Sequence, residues 1–297
     1  MEGYSGKNKN PRYKILQGKD NATKQMKLLN FEMPPEGFKR LFYDIETSPN
    51  IGFFWGAGYK LNISHNNIIK ERAIICICYK WEGQDTVHSL EWKEGCDKAL
   101  LSHFMTVAKT ADELVAHNGD RFDEKWIRTR CLIHGIDCPP KLNSFDTLKK
   151  ARTHFRFNSN RLDYLGKLFF DEGKSPVGFD DWVQITLHND KDAMDKMVEY
   201  CKKDVILLED VFHKLQPYVN HNTHTGAHTG YGRFSCPSCG SEETILRKTR
   251  YSASGIPKHQ LQCKAKKCRR YFTISNKVWQ NKLEDDWTKK QSNLNNK

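Results

Sequence analysis

One stretch, Leu41-Phe42-Tyr43-Asp44-Ile45-Glu46-Thr47, limits what this chain can fold into more than any other. Side chains alternate faces along a strand, so Phe42, Asp44 and Glu46 share one face and Leu41, Tyr43 and Ile45 the other. The reading expects one core face and one face carrying two acids. Adjacent carboxylates aimed the same way repel in a partly dry site, and a fold tolerates them when a cation or a proton sits between them. The strand is therefore a candidate bed for a divalent metal, with a solvated acidic edge as the alternative. Acids elsewhere in the chain decide between the two.

Charge distribution adds to that. Residues 1–40 carry 9 basic and 4 acidic side chains, residues 41–220 carry 24 and 27, and residues 221–297 carry 15 and 5, within a net charge of +12. An acidic centre with basic ends suits a metal-dependent enzyme acting on a polyanion, since the acids hold cations and the ends hold phosphates. A basic excess that only aids solubility is the alternative. No run of 18 apolar residues occurs, and Lys7, Lys9, Arg12 and Lys14 lie among polar residues without the apolar segment of a signal peptide. Four of the 10 cysteines fall at metal-ligand spacing and the others mostly within apolar segments. A cytoplasmic protein in a reducing compartment, away from membranes, is expected.

Along the chain, residues 1–38 are polar and Lys/Asn-rich and are expected to form a flexible basic arm. Residues 51–66 form a connection containing Phe53, Phe54, Trp55 and Tyr59, aromatics that either stack on bases or cover the core. Residues 73–79 and 86–92 read as a hairpin, Ala99, Leu100, Phe104, Val107 and Ala108 as a helix, and residues 113–117 as a fourth strand able to lie beside the first. A mixed sheet follows. His117-Asn118-Gly119-Asp120-Arg121-Phe122-Asp123 then opens a helix through Trp126, Ile127 and Cys131, which sets Asp123 at its N-terminus, where a plain dipole-complementing role is the alternative. Residues 145–147 read as a short strand, 161–169 as a helix and 173–189 as a loop. Met194, Met197, Val198, Cys201, Val205, Leu208, Phe212 and Leu215 keep a 3.6-residue period, one apolar stripe on a long helix. Tyr200 and Asp204, four apart, lie one above the other at the border of that stripe.

In order, Tyr43-Asp44-Ile45-Glu46-Thr47, His117-Asn118-x-x-x-Phe122-Asp123 and Tyr200-Cys201-x-x-Asp204 resemble the three exonuclease motifs of the DEDD (DnaQ-like) superfamily. The likeness is closest to the proofreading domain of family B DNA polymerases and related phage-type stand-alone exonucleases, and it spans about residues 40–216. It implies an α/β, ribonuclease H-like mixed sheet flanked by helices, and 3′→5′ removal of nucleotides with two Mg²⁺ or Mn²⁺ ions. Asp44, Glu46, Asp123 and Asp204 match the four acids of that family, and Tyr200 the tyrosine that marks one branch of it. By the same resemblance Asp44 bridges the metals, Glu46 and Asp204 complete one site, Asp123 serves the second, and Thr47 and Asn118 contact the terminal nucleotide. Hard divalent ions prefer carboxylate oxygens, which suits these residue types. A phenol with a pKa near 10 is a poor base, so orienting the attacking water comes first for Tyr200. His117 departs from the tyrosine usual in polymerase domains, and the remaining chain holds no palm or thumb. A free-standing nuclease domain over residues 39–217 is expected.

After it, residues 218–232 read as a linker whose His221, His224 and His228 are either spacer residues or metal ligands. Cys236-Pro237-Ser238-Cys239-Gly240 and Cys263-Lys264-Ala265-Lys266-Lys267-Cys268 then supply two cysteine pairs separated by 23 residues. Such pairs bring four thiolates to one tetrahedral, structural Zn²⁺, with Gly240 easing the turn; disulfides are the alternative. Residues 233–280 resemble a zinc ribbon of the transposase type, with the departure that four residues rather than two separate the second pair. Arg247, Lys248, Arg250, Lys266, Lys267, Arg269 and Arg270 make it a candidate nucleic-acid clamp, for DNA before RNA. Residues 281–297 are expected to be a disordered tail. A non-catalytic binding factor with a vestigial nuclease fold is the competing reading of the whole.

Overall fold

The computed structural model describes residues 37–295 except 57, 59–62, 141, 172–176 and 267; the basic arm, apart from its last two residues, and Tyr59 lie outside the described residues. In chain order the elements are β1 (Arg40–Thr47), β2 (Ile51–Gly52), β3 (Ile68–Lys70), β4 (Ile74–Trp81), β5 (His88–Glu91), α1 (Lys98–Ala108), β6 (Glu113–Ala116), α2 (Asp123–His134), β7 (Ser144–Asp146), α3 (Thr147–His154), α4 (Leu162–Phe170), α5 (Phe179–His188), α6 (Lys191–Leu215), α7 (Thr225–His228), β8 (Thr244–Tyr251), β9 (Pro257–Cys263), β10 (Tyr271–Ser275) and α8 (Asn276–Asn295). Two compact units form, one from Met1–Ser144 and Glu172–Leu207, the other from Phe145–Asp171 and Leu208–Lys297. These differ from the boundaries expected at 217 and 233, because α3, α4 and the last turns of α6 group with the cysteine module.

The five-stranded sheet has the order β5-β4-β1-β6-β7. β1 is antiparallel to β4, β4 to β5, and β1 is parallel to β6 with Leu41 opposite Leu114. This is the expected mixed sheet. Its central strand differs from expectation in one respect: Arg40, Leu41, Phe42, Tyr43 and Ile45 are all buried, so both faces of the first half of β1 are core. A strand with a parallel neighbour needs a crossover, and α1 between β5 and β6 supplies it. Only the C-terminal end of β1, with Asp44, Glu46 and Thr47, is half-buried.

Buried ions brace this unit. Arg40 Nε donates to Glu113 Oε2 at 2.7 Å and its Nη1 to Glu82 Oε2 at 2.6 Å. The Asp97 carboxylate accepts from Ile74 N at 3.0 Å, from Arg130 Nε and Nη2 at 2.7 and 2.8 Å, and from His134 Nε2 at 2.6 Å. It therefore joins β4, the start of α1 and α2. Burial alone would raise the pKa of Asp97, but the hydrogen bonds from Arg130, Ile74 and His134 hold it below the usual carboxylate range. Asp97→Asn leaves the guanidinium without its anion, and we expect a loss of about 3–5 kcal/mol in denaturant unfolding. A depressed folded pKa contributes stability that is present above the unfolded value of about 3.9 and fades as pH falls through the folded one. The gap between wild type and Asp97→Asn should thus narrow at pH 3; a constant gap from pH 7 to 3 would contradict this.

Residues 173–189, expected as a loop, contain α5 instead. Gly178 N–H donates to Asp181 Oδ2 at 2.7 Å across its first turn, and Asn189 closes it with φ 50°. Its Trp182 Nε1 donates to Thr47 O at 3.0 Å, fixing the end of β1. Of the two readings for Phe53, Phe54 and Trp55, core cover fails, since they are 74%, 55% and 104% exposed.

In the second unit, β10-β9-β8 form an antiparallel sheet. The tail expected to be disordered is helical through Asn295 as α8. Val278 and Trp279 pack on the core of the cysteine module, Trp279 stacks on His259 at 5.2 Å, and Lys282 pairs with Asp286 at 2.8 Å. Tertiary anchoring of one face suffices to hold a helix that polar composition alone does not favour. No helix among the described residues is long and apolar enough to cross a membrane.

Candidate active site

β1 delivers Asp44 and Glu46, and α6 delivers Asp204 with Tyr200 one turn before it. All eight apolar positions of the α6 stripe are buried, which locks the helix rotation. Asp204 is 5% exposed and Tyr200 half-buried, at the border of that stripe as expected. Carboxylate oxygens of Asp44, Glu46 and Asp204 lie within 4.8 Å of one another. An octahedral Mg²⁺ with oxygens at about 2.1 Å spans ligands at most about 4.2 Å apart, so these three fit one hard cation with small adjustment. Burial, and then the charges of Asp123, Glu46 and Asp204, push the Asp44 carboxyl well above its usual pKa. Such a group takes up either a proton or a cation.

Asp123 is buried in the first turn of α2. It lies outside the 4.8 Å group among the described residues, yet its charge acts on Asp44. Asn118 takes the left-handed φ of 74°, which Asn tolerates, and its carbonyl accepts from Arg121 N and Phe122 N at 3.1 and 3.0 Å. That turn swings the chain from β6 into α2 and so aims Asp123. Thr47 sits at a bulge between Glu46 and Thr47 at the open end of β1.

Sequence reasoning missed a thiol floor under this site. Cys201 Sγ donates toward Asp44 O at 3.5 Å and Asp44 Oδ2 at 3.7 Å, and Cys78 Sγ toward Val198 O at 3.7 Å. Cys76 stands on the same face of β4 as Cys78 and is fully buried. Burial pushes the Cys201 thiol well up, so it serves as a neutral donor that orients the carboxylate from below. The only signal was Cys201 standing beside Tyr200 within an apolar stripe.

In the second unit the sulfurs of Cys236, Cys239, Cys263 and Cys268 also lie within 4.8 Å of one another. Cys236 and Cys268 are 3.6 Å apart, as are Cys239 and Cys263. A disulfide would need about 2.05 Å. Zinc–sulfur bonds of about 2.3 Å in a tetrahedron place sulfurs about 3.8 Å apart, so the four fit one such ion. The first knuckle turns through Gly240 at φ 75°, with Gly240 N donating to Cys236 O at 2.9 Å. The longer second knuckle closes because Cys268 N and Arg269 N both donate to Ala265 O, at 3.0 and 3.1 Å, with Arg269 left-handed at φ 51°. Phe234, Leu261, Phe272 and Ile274 pack around the sulfurs.

Residues 218–232 do not act as a plain spacer. Thr225 N and Oγ1 donate to Pro237 O and Ser238 O, each at 3.0 Å, and a Cβ on Gly226 would lie 1.9 Å from Ser235 Oγ. The segment is part of the knuckle's packing. The His221 ring lies tilted 5.0 Å from that of Phe145 and edge-on 5.9 Å from that of Phe212, and His224 Nδ1 accepts from Ala227 N at 3.1 Å. Neither these two nor His228 joins a metal-holding group among the described residues.

Of the expected clamp residues, Arg247, Lys248, Arg250, Lys266 and Arg269 are exposed, and Lys267 lies outside the described residues. Arg270 is a correction: it is 7% exposed, and its guanidinium donates to Gln216 O and Ser238 Oγ at 3.3 and 3.0 Å, to Val219 O, and to Asn220 Oδ1 at 3.1 Å. It is spent on carbonyls rather than presented to a ligand. Burial lowers its pKa, opposed only by the nearby sulfurs of Cys236 and Cys268.

No curated protein matches this sequence. Among solved structures the chain is similar to the family B DNA polymerase from the hyperthermophilic archaeon Pyrobaculum calidifontis, with 14% identity and a TM-score of 0.47 over 63% of this chain. It spans 25% of the polymerase. The sequence profile of the RNase_H superfamily matches residues 41–216, more than half of the chain, and takes in Asp44, Glu46, Asp123, Tyr200 and Asp204. With its mixed sheet of RNase H-like fold, the chain belongs to the RNase_H superfamily.

Proposed function

We propose that this protein is a metal-dependent 3′→5′ exonuclease of the DEDD type, tyrosine branch, that hydrolyses phosphodiester bonds at single-stranded ends, in DNA before RNA. The observation that carries this reading is the convergence of Asp44, Glu46 and Asp204 within 4.8 Å at the open end of the central strand. Two Mg²⁺ or Mn²⁺ ions, when bound, stabilise the attacking and leaving oxygens of an in-line displacement. Asp44, Glu46 and Asp204 would hold one such ion, and Asp123, with Asp44, would serve a second. Cys201 fixes the Asp44 carboxylate from the core side. Tyr200 directs its hydroxyl at the attacking water, and Thr47 and Asn118 contact the terminal nucleotide. Phe53, Phe54 and Trp55 offer exposed faces on which bases stack. The second unit's cysteine module is a zinc ribbon whose Arg247, Lys248, Arg250, Lys266 and Arg269 neutralise phosphates of a longer substrate. A reducing, cytoplasmic compartment suits its free thiols.

The test uses 5′-labelled single-stranded DNA, duplex DNA and RNA of equal length with Mg²⁺ or Mn²⁺. Stepwise shortening of the single strand from its 3′ end is expected; internal cuts, or no hydrolysis by folded, metal-loaded protein, would overturn the proposal in favour of another nuclease class or a binding factor. Tyr200→Phe should lower kcat by about 10- to 10³-fold, since the hydroxyl orients water that the metals activate. An unchanged rate with chemistry limiting would remove Tyr200 from the mechanism.

A further inference from the structure

In the two residues before the buried Asp123, Arg121 and Phe122, the chain surfaces and borders a cleft of about 630 Å³ between α2 and the segment preceding β4. Arg72, Arg121, Lys125 and Trp126 line it. The Arg72 guanidinium carbon sits 4.9 Å from the centre of the Trp126 ring, and the Phe122 and Trp126 rings are 6.1 Å apart at 59°. The Arg72 backbone N–H donates to Asn50 Oδ1 at 2.9 Å, holding that segment in place. Arg72, Arg121 and Lys125 are exposed, and none makes an ion pair among the described residues. Arg130, also at this cleft, is held by Asp97, and Glu71 is the one acid on its wall.

Free cations are cheap on a surface, but three of them gathered around an aromatic face, two of them two residues from an acid that repels polyanions, form a counterweight to that acid. A nucleic-acid strand led toward Asp44 and Asp123 meets a concentration of negative charge. Its phosphates gain where basic groups stand close by. A guanidinium stacked on indole is also a surface on which a planar base adds with little reorganisation.

We propose that this cleft seats a nucleotide of the substrate strand away from the scissile bond, its phosphate on Arg121 and Lys125 and its base against the Arg72–Trp126 stack. The occupant is single-stranded nucleic acid, because only an unpaired base offers its face to the ring. The inference rests on the nuclease reading and adds a specificity-determining subsite to it.

The experiment compares full-length, zinc-loaded wild type with Trp126→Ala, Trp126→Phe, Arg72→Gln and Lys125→Ala. Each hydrolyses a single-stranded decamer and a thymidine nitrophenyl phosphate ester, and each binds the labelled decamer in anisotropy titrations without divalent metal. Trp126→Ala should raise the decamer KM by about 5- to 150-fold, the usual range for one lost base stack, with kcat at saturation held and the ester defect absent. Trp126→Phe should recover most of that. Lys125→Ala should flatten the salt dependence of decamer binding by about 0.7 in log–log slope. Equal losses on ester and decamer, or unchanged decamer KM and affinity in folded variants, would overturn the subsite. So would polyglutamate of equal charge competing as well as the decamer, since that marks a general anion surface. If wild type hydrolyses neither substrate, the nuclease reading fails, and the anisotropy series alone then decides whether the cleft binds the strand.

Discussion

Asp44→Asn is expected to lower kcat/KM by at least about 10³-fold while leaving the protein folded and, without metal, slightly more stable. The side chain keeps its shape, and its oxygen can still accept from the Cys201 thiol, which approaches Asp44 Oδ2 at 3.7 Å. Only charge is lost. Because burial and the charges of Asp123, Glu46 and Asp204 already disfavour the Asp44 carboxylate, removing that charge relieves repulsion in the metal-free fold. Under the proposed mechanism the same removal also takes away a metal ligand. Two melting curves make the prediction specific. Wild type should gain in Tm with Mg²⁺ or Mn²⁺ through binding to the native state alone, and Asp44→Asn should lose most of that gain. Full hydrolysis by folded Asp44→Asn, or an undiminished metal-dependent rise in Tm, would show that the three carboxylates do not form the metal site. A lower metal-free Tm would instead make Asp44 a structural acid.

Much of this geometry was legible because periodicity and charge rarely coincide by accident. The α6 stripe fixed the rotation of the helix, so Tyr200 and Asp204 could be set at its edge before any coordinates, and both lie there. The alternation along β1 sets Phe42, Asp44 and Glu46 on one face, but a single core face was too simple, since Phe42 is buried too: a strand with neighbours on both sides is covered on both faces wherever helices reach it. Gly178 and the glycine and proline before it hid α5, although Phe179, Trp182, Val183 and Thr186 carry a helical period. α8 was hidden for a different reason: its polarity is nearly uniform, and what holds it is the packing of Val278 and Trp279 on the core of the cysteine module, which only the fold assembles. Charge counting also misread Arg270. Composition records a cation, whereas only the fold shows that carbonyls of Gln216 and Val219 surround it. The thiols of Cys76, Cys78 and Cys201 come from two elements and meet only once β4 and α6 pack.

Metal removal from the second unit is expected to unfold the cysteine module while the first unit stays folded. The module's core is small: Phe234, Leu261, Phe272 and Ile274 surround four sulfurs, and β8 is exposed along nearly its whole length. So little apolar area gives a hairpin sheet marginal stability on its own. Structural zinc in modules of this kind contributes an apparent 10–16 kcal/mol, roughly the whole stability of a domain. Arg270 points the same way. Its buried guanidinium has no carboxylate among its hydrogen-bond partners, and its Nε is buried without a partner, so the charge needs an anion nearby. A zinc ion with four thiolates carries a net charge of −2, and Cys236 and Cys268 are the charges that favour Arg270. Four neutral thiols would leave the guanidinium uncompensated at a cost of several kcal/mol. Purified protein should therefore contain one zinc per chain. Treatment with phenanthroline, or Cys268→Ser, should erase hydrogen-exchange protection over β9 and β10 and open residues 244–275 to protease, with β1 and β4 still protected. Arg270→Met should keep its zinc longer than Cys268→Ser but release it faster than wild type to a chromogenic chelator, because the counter-charge is gone while the ligands remain. Protection over β9 that survives complete metal removal would show that the four sulfurs are ordinary core thiols, and would leave Arg270 to be explained by its carbonyl partners alone.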